Sequence, residues 1–361
     1  MQQKPNLHYW LAAMHLIGIG PITFRRWLSA FPSIEALFSA SIEEWHQAGV
    51  MPKQVKLLKN PDWAAVERDL AWSQKPNCHL ITLEDLHYPA LLREIPDAPL
   101  ILYVTGDKTQ LIQPQIAIVG SRNPTPAGAD IAKQFSVCLA KAGFVITSGM
   151  ALGIDGAAHK GTLAAQGKTI AVMGTGLNHI YPPQHQSLAA DIAQQGTLVS
   201  ELPPDTLPKA TNFPKRNRLI SGLSLGVLVV EAALRSGSLI TARCAVEQGR
   251  EVFAIPGSIH NPLARGCHFL IRQGAKLVET AEDIVEELRS LMAVLNYPLK
   301  KDSLLMQAIG YEVTALDTII ERSGLTASEV SSMLLSLELQ GYVQSIPGGY
   351  VRNPDISTIS T

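Results

Sequence analysis

The sequence is poor in cysteine, has almost no net charge and contains no long apolar run. Its four cysteines are never spaced as C-x-x-C, and a chain of 361 residues needs no disulfides to hold its core. We interpret them as reduced core thiols of a cytoplasmic protein. Lys and Arg number 30 against 31 Asp and Glu, so total charge predicts no partner. No apolar run reaches the ~20 residues that span a bilayer, and no secretory signal is evident, so we expect no membrane contact.

What the sequence does have is apolar material, arranged in distinct zones. Hydrophobic residues make up 46% of the chain, enough for two or three domains. Residues 1–80 carry apolar side chains at three- and four-residue spacing, which predicts a helical module, and they hold all five tryptophans. Residues 81–110 are a proline-punctuated connector that we expect to pack on the core. Residues 302–352 predict helices followed by a β-ribbon, as in a winged helix, and residues 353–361 predict a mobile tail.

Residues 111–296 alternate short β-branched runs with helical patterns. Continuous apolar strands separated by helices predict a mostly parallel sheet covered on both faces, which is a doubly wound α/β fold. Ligands of such folds bind at the carboxyl ends of the strands. The predicted strands lie within residues 115–120, 144–149, 169–174, 197–202, 226–232 and 251–257.

Charge is distributed unevenly between these zones. Residues 111–280 carry 15 Lys and Arg against 9 Asp and Glu, a net charge of +6, whereas residues 302–361 carry 2 against 7, a net charge of −5. The predicted recognition helix, residues 326–340, has no Lys or Arg but contains Glu329 and Glu338. Because cationic contacts to phosphate supply most non-specific affinity for nucleic acid, we expect the C-terminal module to contact protein rather than DNA. The alternative is a helical appendage without a partner.

The loop after the first predicted strand reads Gly120-Ser121-Arg122 and leads into a predicted helix. A glycine turn, a hydroxyl and backbone amides at a helix N-terminus form an anion site. Arg122 adds a bidentate phosphate donor. The alternative interpretation is an ordinary turn between a strand and a helix.

The next strand ends at Ser148 and Gly149, and Asp155 and His159 follow one helical turn apart. Glycine allows a close approach of the backbone to a ligand. An acid–imidazole pair is suited to general acid–base catalysis, but it is equally suited to hydrogen bonding that orders a loop. We favour the loop-ordering role, because no nucleophile or set of metal ligands accompanies the pair.

The third strand leads to Gly174 and Gly176, which begin a G-x-G-x-x-G pattern that His179 interrupts. The acidic residue that holds a ribose in dinucleotide-binding proteins is also absent from its usual spacing. The pattern therefore does not predict NAD binding. It leaves open a backbone cradle for a phosphate group.

The basic run FPKRNR is the strongest chemical signal in the sequence. It places three cations, Lys215, Arg216 and Arg218, beside Asn217 and behind Phe213. Cations and an amide suit a sugar–phosphate backbone, and Phe213 suits stacking on a base. The alternative is a solvated basic turn.

A last loop follows the strand that ends at Glu231 and reads Ser236-Gly237-Ser238 at the start of a predicted helix. Hydroxyl groups at a helix N-terminus favour an anion, although plain helix capping is an equal alternative. We assign Glu231, with Asp155 and His159, to ordering the loops. Three or four anion-binding loops and a basic cluster at one sheet edge fit several phosphates better than one small ligand.

Several sequence blocks, taken in order, resemble the DNA-processing protein A (Smf) family over nearly the whole chain. The blocks are the connector YPALLREIPDAPLILYVTG, then GSR, SGMALGIDGAAHKGTL, TIAVMGTGLNHIYPPQH, SELPP, FPKRNRLISGLS, VVEAALRSGSLITARCAVEQGREVFAIPG and GCHFLIRQGA. The resemblance implies an extended Rossmann-like fold that binds single-stranded DNA, forms a homodimer through this domain, and loads the RecA recombinase in natural transformation. It also implies that Arg122, Lys215 and neighbouring basic residues contact DNA, and that the N-terminal module is similar to a sterile-alpha-motif or helix-hairpin-helix domain.

Two classes of function remain after this resemblance. The favoured one is a non-catalytic DNA-binding mediator, because the sequence has no complete nucleophile, metal or ATP motif and implies no cofactor. The alternative is a nucleotide-binding or nucleotide-hydrolysing Rossmann-like enzyme that uses the same loops. The basic run around Lys215 distinguishes the two, since it exceeds what one phosphate needs.

Overall fold

A nine-stranded sheet organises the computed structural model, which describes residues 6–294, 305, 308–310, 312–339 and 343–352. Six of its strands coincide with the six predicted ones, because each is a short apolar run buried by helices on both faces. The strands are β1 (Cys78–Thr82), β2 (Ile101–Gly106), β3 (Gln115–Val119), β4 (Val145–Ser148), β5 (Thr169–Val172), β6 (Thr197–Ser200), β7 (Gly226–Val229), β8 (Glu251–Ala254) and β9 (Lys276–Leu277).

The strand order is β1-β2-β6-β5-β4-β3-β7-β8-β9, with parallel pairing from β6 to β9. From β3 the chain moves outward through β4, β5 and β6, and it then returns to place β7 on the other side of β3. The order therefore reverses between β3 and β7, which is where open α/β sheets form their ligand crevice. The predicted doubly wound, mostly parallel α/β fold is confirmed.

Two strands that the sequence pattern does not reveal flank the prolines of the connector: β1 spans the boundary between the predicted helical module and the connector, and β2 lies within the connector. β1 and β2 pair antiparallel, with Leu80 opposite Tyr103, and β2 pairs antiparallel with β6. Pro89, Pro96 and Pro99 all lie between the two strands, where no ladder hydrogen bond is needed. The prolines thus lie in the connection between two adjacent antiparallel strands, which extend the sheet.

The helices are named in chain order. They are α1 (Leu7–Met14), α2 (Pro21–Leu28), α3 (Ile34–Ser39), α4 (Ile42–Gln47), α5 (Pro52–Lys59), α6 (Trp63–Ser73), α7 (Ala90–Glu94), α8 (Pro126–Lys141), α9 (Ile154–Ala164), α10 (Gln186–Gln195), α11 (Asn212–Leu223), α12 (Ser238–Glu247), α13 (Arg265–Arg272), α14 (Ala281–Val294), α15 (Leu316–Ser323) and α16 (Ala327–Leu339). Short 3₁₀ turns occupy Lys108–Ile112 and Pro183–His185.

The N-terminal helices pack on one face of the sheet. Trp10, Trp27 and Trp72 share a buried cluster with Tyr103 of β2 and Met173, just beyond β5. A buried polar contact joins the same parts, because the Tyr103 hydroxyl donates to the Asp69 carboxylate at 2.6 Å. The opposite face of the sheet packs against α7, α11, α12 and α13 in a second cluster. The helical character predicted for the N-terminal zone is confirmed by α1 to α6, but residues 78–80 of that zone belong to β1.

The chain divides into two compact units, the second of which comprises residues 141–143 and 286–361. Its described part contains α15, α16 and a hairpin of β10 (Val343–Ile346) and β11 (Gly349–Arg352), in the predicted order. Ile319, Val330 and Leu334 form its core with Val343. The tail predicted for residues 353–361 lies outside the described residues.

Two further predictions concern membrane contact and the cysteines. The described helices include none that is both long and apolar enough to cross a membrane. All four cysteines are free, and Cys267 is buried while Cys78 and Cys244 are half-buried. Cys138 is exposed, so the prediction that all four lie in the core is wrong for this residue, which sits on the outer side of α8.

Candidate nucleic-acid interface

A cavity of about 770 Å³ opens at the carboxyl ends of β3 and β7, where the strand order reverses. It gathers ten of the residues singled out in the sequence. They are Gly120, Ser121, Arg122, Asp155, Phe213, Arg216, Asn217, Ser236, Gly237 and Ser238. The other predicted site residues do not line the cavity, and most of them lie beneath or beside it.

The turn after β3 forms one wall. Ser121 N–H donates to Glu231 O at 2.7 Å, and the Ser121 hydroxyl accepts from Asn123 N–H at 3.1 Å. A Cβ on Gly120 would lie 2.7 Å from the Ile154 side chain, so only glycine fits between this turn and the start of α9. The tight turn leaves the Arg122 side chain exposed at the cavity, as an anion site requires.

The start of α12 forms the facing wall. The hydroxyl groups of Ser236 and Ser238 lie 2.6 Å apart, and Ser238 N–H donates to the Ser236 hydroxyl at 3.3 Å. Because Ser236, Gly237 and Ser238 line the cavity, the positive end of the helix dipole lies at its wall. Arg235, an exposed lining residue immediately before this turn, was not singled out in the sequence. Its position as a cation preceding a hydroxyl-rich helix N-terminus was the signal that could have identified it.

Glu231 joins the turn after β3 and the start of α8 to the end of β7. Its buried carboxylate accepts hydrogen bonds from the Thr125 backbone N–H at 2.8 Å and the Thr125 hydroxyl at 2.7 Å. The Thr125 hydroxyl in turn accepts from Gly128 N–H at 3.0 Å, and a Cβ on Gly128 would lie 2.5 Å from the Glu231 carboxyl carbon. Glu231 thus holds the beginning of α8 against the end of β7, and its carboxylate is engaged within the protein.

Arg216 is buried in the floor of the cavity. Its Nη1 donates to the backbone oxygens of Gly149, at 2.5 Å, and Val172. Burial lowers the pKa of Arg216 to about 10; the Asp155 charge opposes this shift and the Arg122 charge adds to it. This guanidinium therefore joins the ends of β4 and β5 and places positive charge beneath the cavity.

Asp155 orders the loop after β4. Its Oδ2 accepts from the backbone N–H groups of Gly149, at 3.1 Å, and Ala151, at 3.2 Å. Burial raises the pKa of Asp155, whereas the Arg216 charge and these hydrogen bonds oppose the rise. A Cβ on Gly149 would lie 2.8 Å from both Asp155 Oδ2 and Arg216 Nη2. The neighbouring Ser148 hydroxyl donates to Ile118 O at 2.6 Å and so ties β4 to β3.

His159 does not face the cavity. Its Nδ1 lies 2.7 Å from the Thr169 hydroxyl, which itself donates to Ile146 O, so His159 is the donor in this pair. Its Nε2 is buried without a hydrogen-bond partner among the described residues. Burial, followed by the charges of His185 and Arg216, lowers the pKa of His159 to about 3. Asp155 and His159 thus have separate partners, and the acid–base alternative receives no geometric support.

The basic run lies in the first turns of α11, so its side chains point in different directions. Arg218 forms ion pairs with Glu201 and with Asp97, the latter at 3.1 Å. Burial raises the pKa of Glu201, and the Arg218 charge opposes the rise. Lys215 is exposed. Of the three cations, Arg216 is therefore buried and bonded to the backbone, Arg218 is paired with carboxylates, and Lys215 faces solvent.

The glycines after β5 serve packing. A Cβ on Gly174 would lie 2.7 Å from the Phe213 ring, so this glycine lets the ring rest on the backbone. Gly176 N–H donates to Thr206 O at 2.9 Å, and a Cβ there would lie 2.1 Å from Pro203 O. The amide of Gly176 is therefore already engaged, which argues against a phosphate cradle at this position.

Comparisons with known proteins cover most of the chain. The family model described as DNA recombination-mediator protein A matches residues 79–289, and the one described as the DprA winged helix domain matches residues 300–349. Protein Smf of Escherichia coli (strain K12) is 44% identical over 360 residues, which cover 95% of each chain. DNA processing protein DprA of Bacillus subtilis (strain 168) is 41% identical over 271 residues, covering 75% of this chain and 91% of the relative.

Two solved structures are also similar. DNA processing protein A of Streptococcus pneumoniae superposes with a TM-score of 0.69 and 36% identity, covering 80% of this chain and 99% of that one. DNA processing protein A of Helicobacter pylori, described by its single-stranded DNA binding mode, gives a TM-score of 0.53 and 32% identity, covering 61% and 97%. The predicted family resemblance and the predicted C-terminal winged helix are confirmed.

Proposed function

The chain belongs to the DNA recombination-mediator protein A family, whose members are also named DprA or Smf, and on this premise we propose that its cavity binds single-stranded DNA. The observation that carries the proposal is the cavity itself. The turn after β3, the N-terminal end of α12 and the exposed side chains of Arg122 and Arg235 converge on one space of about 770 Å³. The binding mode named for the similar protein of Helicobacter pylori supports the same ligand class.

The electrostatics of the cavity favour phosphate. Arg122 and Arg216 are close enough for the charge of the first to contribute to the lowered pKa of the second. A phosphate group offsets this repulsion and also interacts favourably with the positive end of α12. Lys215 is exposed on α11 between the lining residues Pro214 and Arg216, and it adds a further cation to this segment. Several cations in succession suit a polyanion, whose binding they make dependent on salt.

We propose binding without catalysis. The acidic groups around the cavity, Asp155, Glu201 and Glu231, all have partners within the protein. His159 does not face the cavity, and its unpartnered Nε2 is buried. A nucleotide-hydrolysing enzyme, the alternative from the sequence, needs one of these groups to be available to water and substrate. No observation among the described residues favours that alternative.

From its family we further propose that the protein protects incoming single strands and loads the RecA recombinase onto them in natural transformation and recombination. It would act in the cytoplasm, as a homodimer formed through the Rossmann-like domain. The acidic C-terminal module would contact a protein partner, since residues 302–361 carry 2 Lys and Arg against 7 Asp and Glu. A direct test is whether the purified full chain accelerates RecA filament formation on single strands, and an unchanged rate would refute the mediator role.

The binding proposal is tested by fluorescence anisotropy with single-stranded and double-stranded oligonucleotides of equal length. We expect tighter binding to the single strand. Arg122→Ala should weaken it roughly tenfold, the effect of one charged hydrogen bond to phosphate. Lys133→Ala is the matched control, because Lys133 is an exposed cation on α8 that pairs with Asp130 at 3.4 Å and does not line the cavity. Equal affinity of Arg122→Ala and the wild type would refute the site, and no binding by the wild type would refute the function.

A further inference from the structure

The short helix α5 carries three exposed lysines that form a row on its surface. Lys53, Lys56 and Lys59 are all exposed, whereas Val55 and Leu58 of the same helix are buried. Residues three apart are neighbours on a helix surface, so the three lysines form one lysine row, roughly 9 Å long along the helix axis. None of their ammonium groups has an ion-pair or hydrogen-bond partner among the described residues.

The chain around the lysine row also lacks negative charge. Residues 45–61 contain these three lysines and no Arg, Asp or Glu, a net charge of +3. The acidic residues that flank this segment, Glu44 and Asp62, are bonded to backbone at the starts of other helices. Glu44 accepts from Ser41 N–H at 2.7 Å, and Asp62 accepts from Ala65 N–H at 2.9 Å. The charge of the row is therefore not neutralised by an ion pair within its own segment.

The stability of α5 does not account for this arrangement. Acidic residues are favoured in the first turn of a helix, where the dipole is positive. The helices before α5 follow this rule, since α3 begins with Glu35 and α4 with Glu43 and Glu44, but α5 has Lys53 in its first turn. Only the other two lysines, in the last turn, suit the dipole. The neighbouring like charges also repel one another, and a polyanion would offset both effects.

We propose that the lysine row of α5 is a second nucleic-acid surface, which contacts the backbone phosphates of double-stranded as well as single-stranded DNA. Phosphates follow one another about every 3.4 Å along the axis of one strand, so a row of roughly 9 Å can contact two or three of them. A protein partner fits less well, because protein interfaces have an apolar centre and are depleted in lysine. From Lys53 to Lys59, every aliphatic side chain is buried or half-buried.

This surface is separate from the cavity at the end of β3 and β7, because no residue of α5 lines that cavity. It goes beyond the proposed function and does not depend on it. The lysine row offers charge alone, and charge does not distinguish paired from unpaired strands. A duplex is therefore the ligand that reports on the lysine row most directly.

The test is fluorescence anisotropy of the full chain with a duplex at four or five salt concentrations. A row variant combines Lys53→Gln, Lys56→Gln and Lys59→Gln. Each lysine that neutralises a phosphate of B-DNA contributes about 0.9 to the slope of log affinity against log salt concentration. We expect the row variant to lower the duplex slope by about 2–3, the contribution of two or three such contacts.

The matched control removes the same charge from another surface. It combines three exposed lysines of α8 and α9 that do not line the cavity, as Lys133→Gln, Lys141→Gln and Lys160→Gln. We expect the control to keep the duplex slope of the wild type. A single variant, Lys53→Gln, should lower the slope by about 0.9 without lowering Tm, because it removes a cation that opposes the helix dipole.

The inference is overturned if the row variant and the control have equal duplex slopes, as expected of a surface that contacts an acidic protein instead. It is also overturned if the wild type does not bind the duplex at the lowest salt concentration. The cavity is tested separately by Arg122→Ala. Loss of single-strand affinity in Arg122→Ala, with an unchanged duplex slope in the row variant, would support the cavity and refute the lysine row. The opposite pair of results would support the lysine row and refute the cavity.

Discussion

For the basic run of α11, the sequence and the structure predict different effects of mutation. In the sequence, Lys215 and Arg218 are equivalent cations three residues apart. In the structure, Lys215 is exposed, whereas Arg218 is paired with Glu201 and Asp97. Lys215→Ala should therefore change DNA binding and leave stability unchanged. Arg218→Ala should do the reverse.

The sizes of both effects follow from these environments. A cation that neutralises one phosphate of a single strand contributes about 0.7 to the slope of log affinity against log salt concentration, so Lys215→Ala should reduce the slope by about 0.7. The side chains of Arg218 and Glu201 are only 16% and 18% exposed. Removal of one partner from a fully buried pair costs about 3–5 kcal/mol, so the loss of this partly buried pair should cost less. Arg218→Ala should therefore lower Tm by several degrees.

The assay is anisotropy at four or five salt concentrations, combined with thermal melting of the same preparations. Lys133→Ala serves again as the exposed control that should alter neither quantity. The reasoning is refuted if Arg218→Ala lowers the salt slope at an unchanged Tm, because Arg218 would then be a free phosphate contact. It is also refuted if Lys215→Ala leaves the slope as it is in the wild type.

Three other predictions concern stability and the C-terminal module. Gly149→Ala should destabilise the fold, because its Cβ would lie 2.8 Å from Asp155 Oδ2 and Arg216 Nη2; an unchanged Tm would contradict this packing. The pKa of His159 falls from 6.5 to about 3 on folding, so between these pH values the imidazole is protonated in the unfolded chain and neutral in the folded chain. The free energy of unfolding should therefore decrease as the pH falls from 6.5 towards 3, by up to about 1.4 kcal/mol per pH unit. Urea melts of His159→Gln should show a weaker pH dependence than those of the wild type. Deletion of residues 302–361, an acidic segment, should leave affinity for single strands within twofold of the full chain, and a larger loss would identify a DNA contact there.

The strands of the central sheet were predictable because their signal is local. Each of the six is a short apolar run between helices, and burial on both faces requires that composition. β1 and β2 were missed because the proline-rich segment between them dominates the local pattern. β9, at two residues, is too short for any periodicity to appear.

The place of the site was predictable, but the roles of its side chains were not. The carboxyl ends of parallel strands meet at one edge, so the turn after β3 and the start of α12 were expected to converge, as they do. The partners of Arg216 lie 67 and 44 residues away in the chain, at Gly149 and Val172. No local pattern carries that information. Tyr181, an exposed residue of the cavity lining, was missed for a related reason, since a lone aromatic near prolines resembles a core residue until its exposure is known.

The buried Arg216 links the stability of the fold to the chemistry of the cavity. Its hydrogen bonds to two strand ends are stronger when the guanidinium is charged, while burial and Arg122 both disfavour that charge and lower its pKa. Asp155 opposes the effect, but its carboxylate is also committed to the loop amides of Gly149 and Ala151. A phosphate in the cavity would place negative charge near Arg122 and Arg216 and so offset the repulsion between them. The guanidinium that holds β4 and β5 together therefore favours an anion above it by its charge, without offering it a free hydrogen-bond donor. By linkage, a polyanion that bound there would stabilise the sheet edge that forms the site.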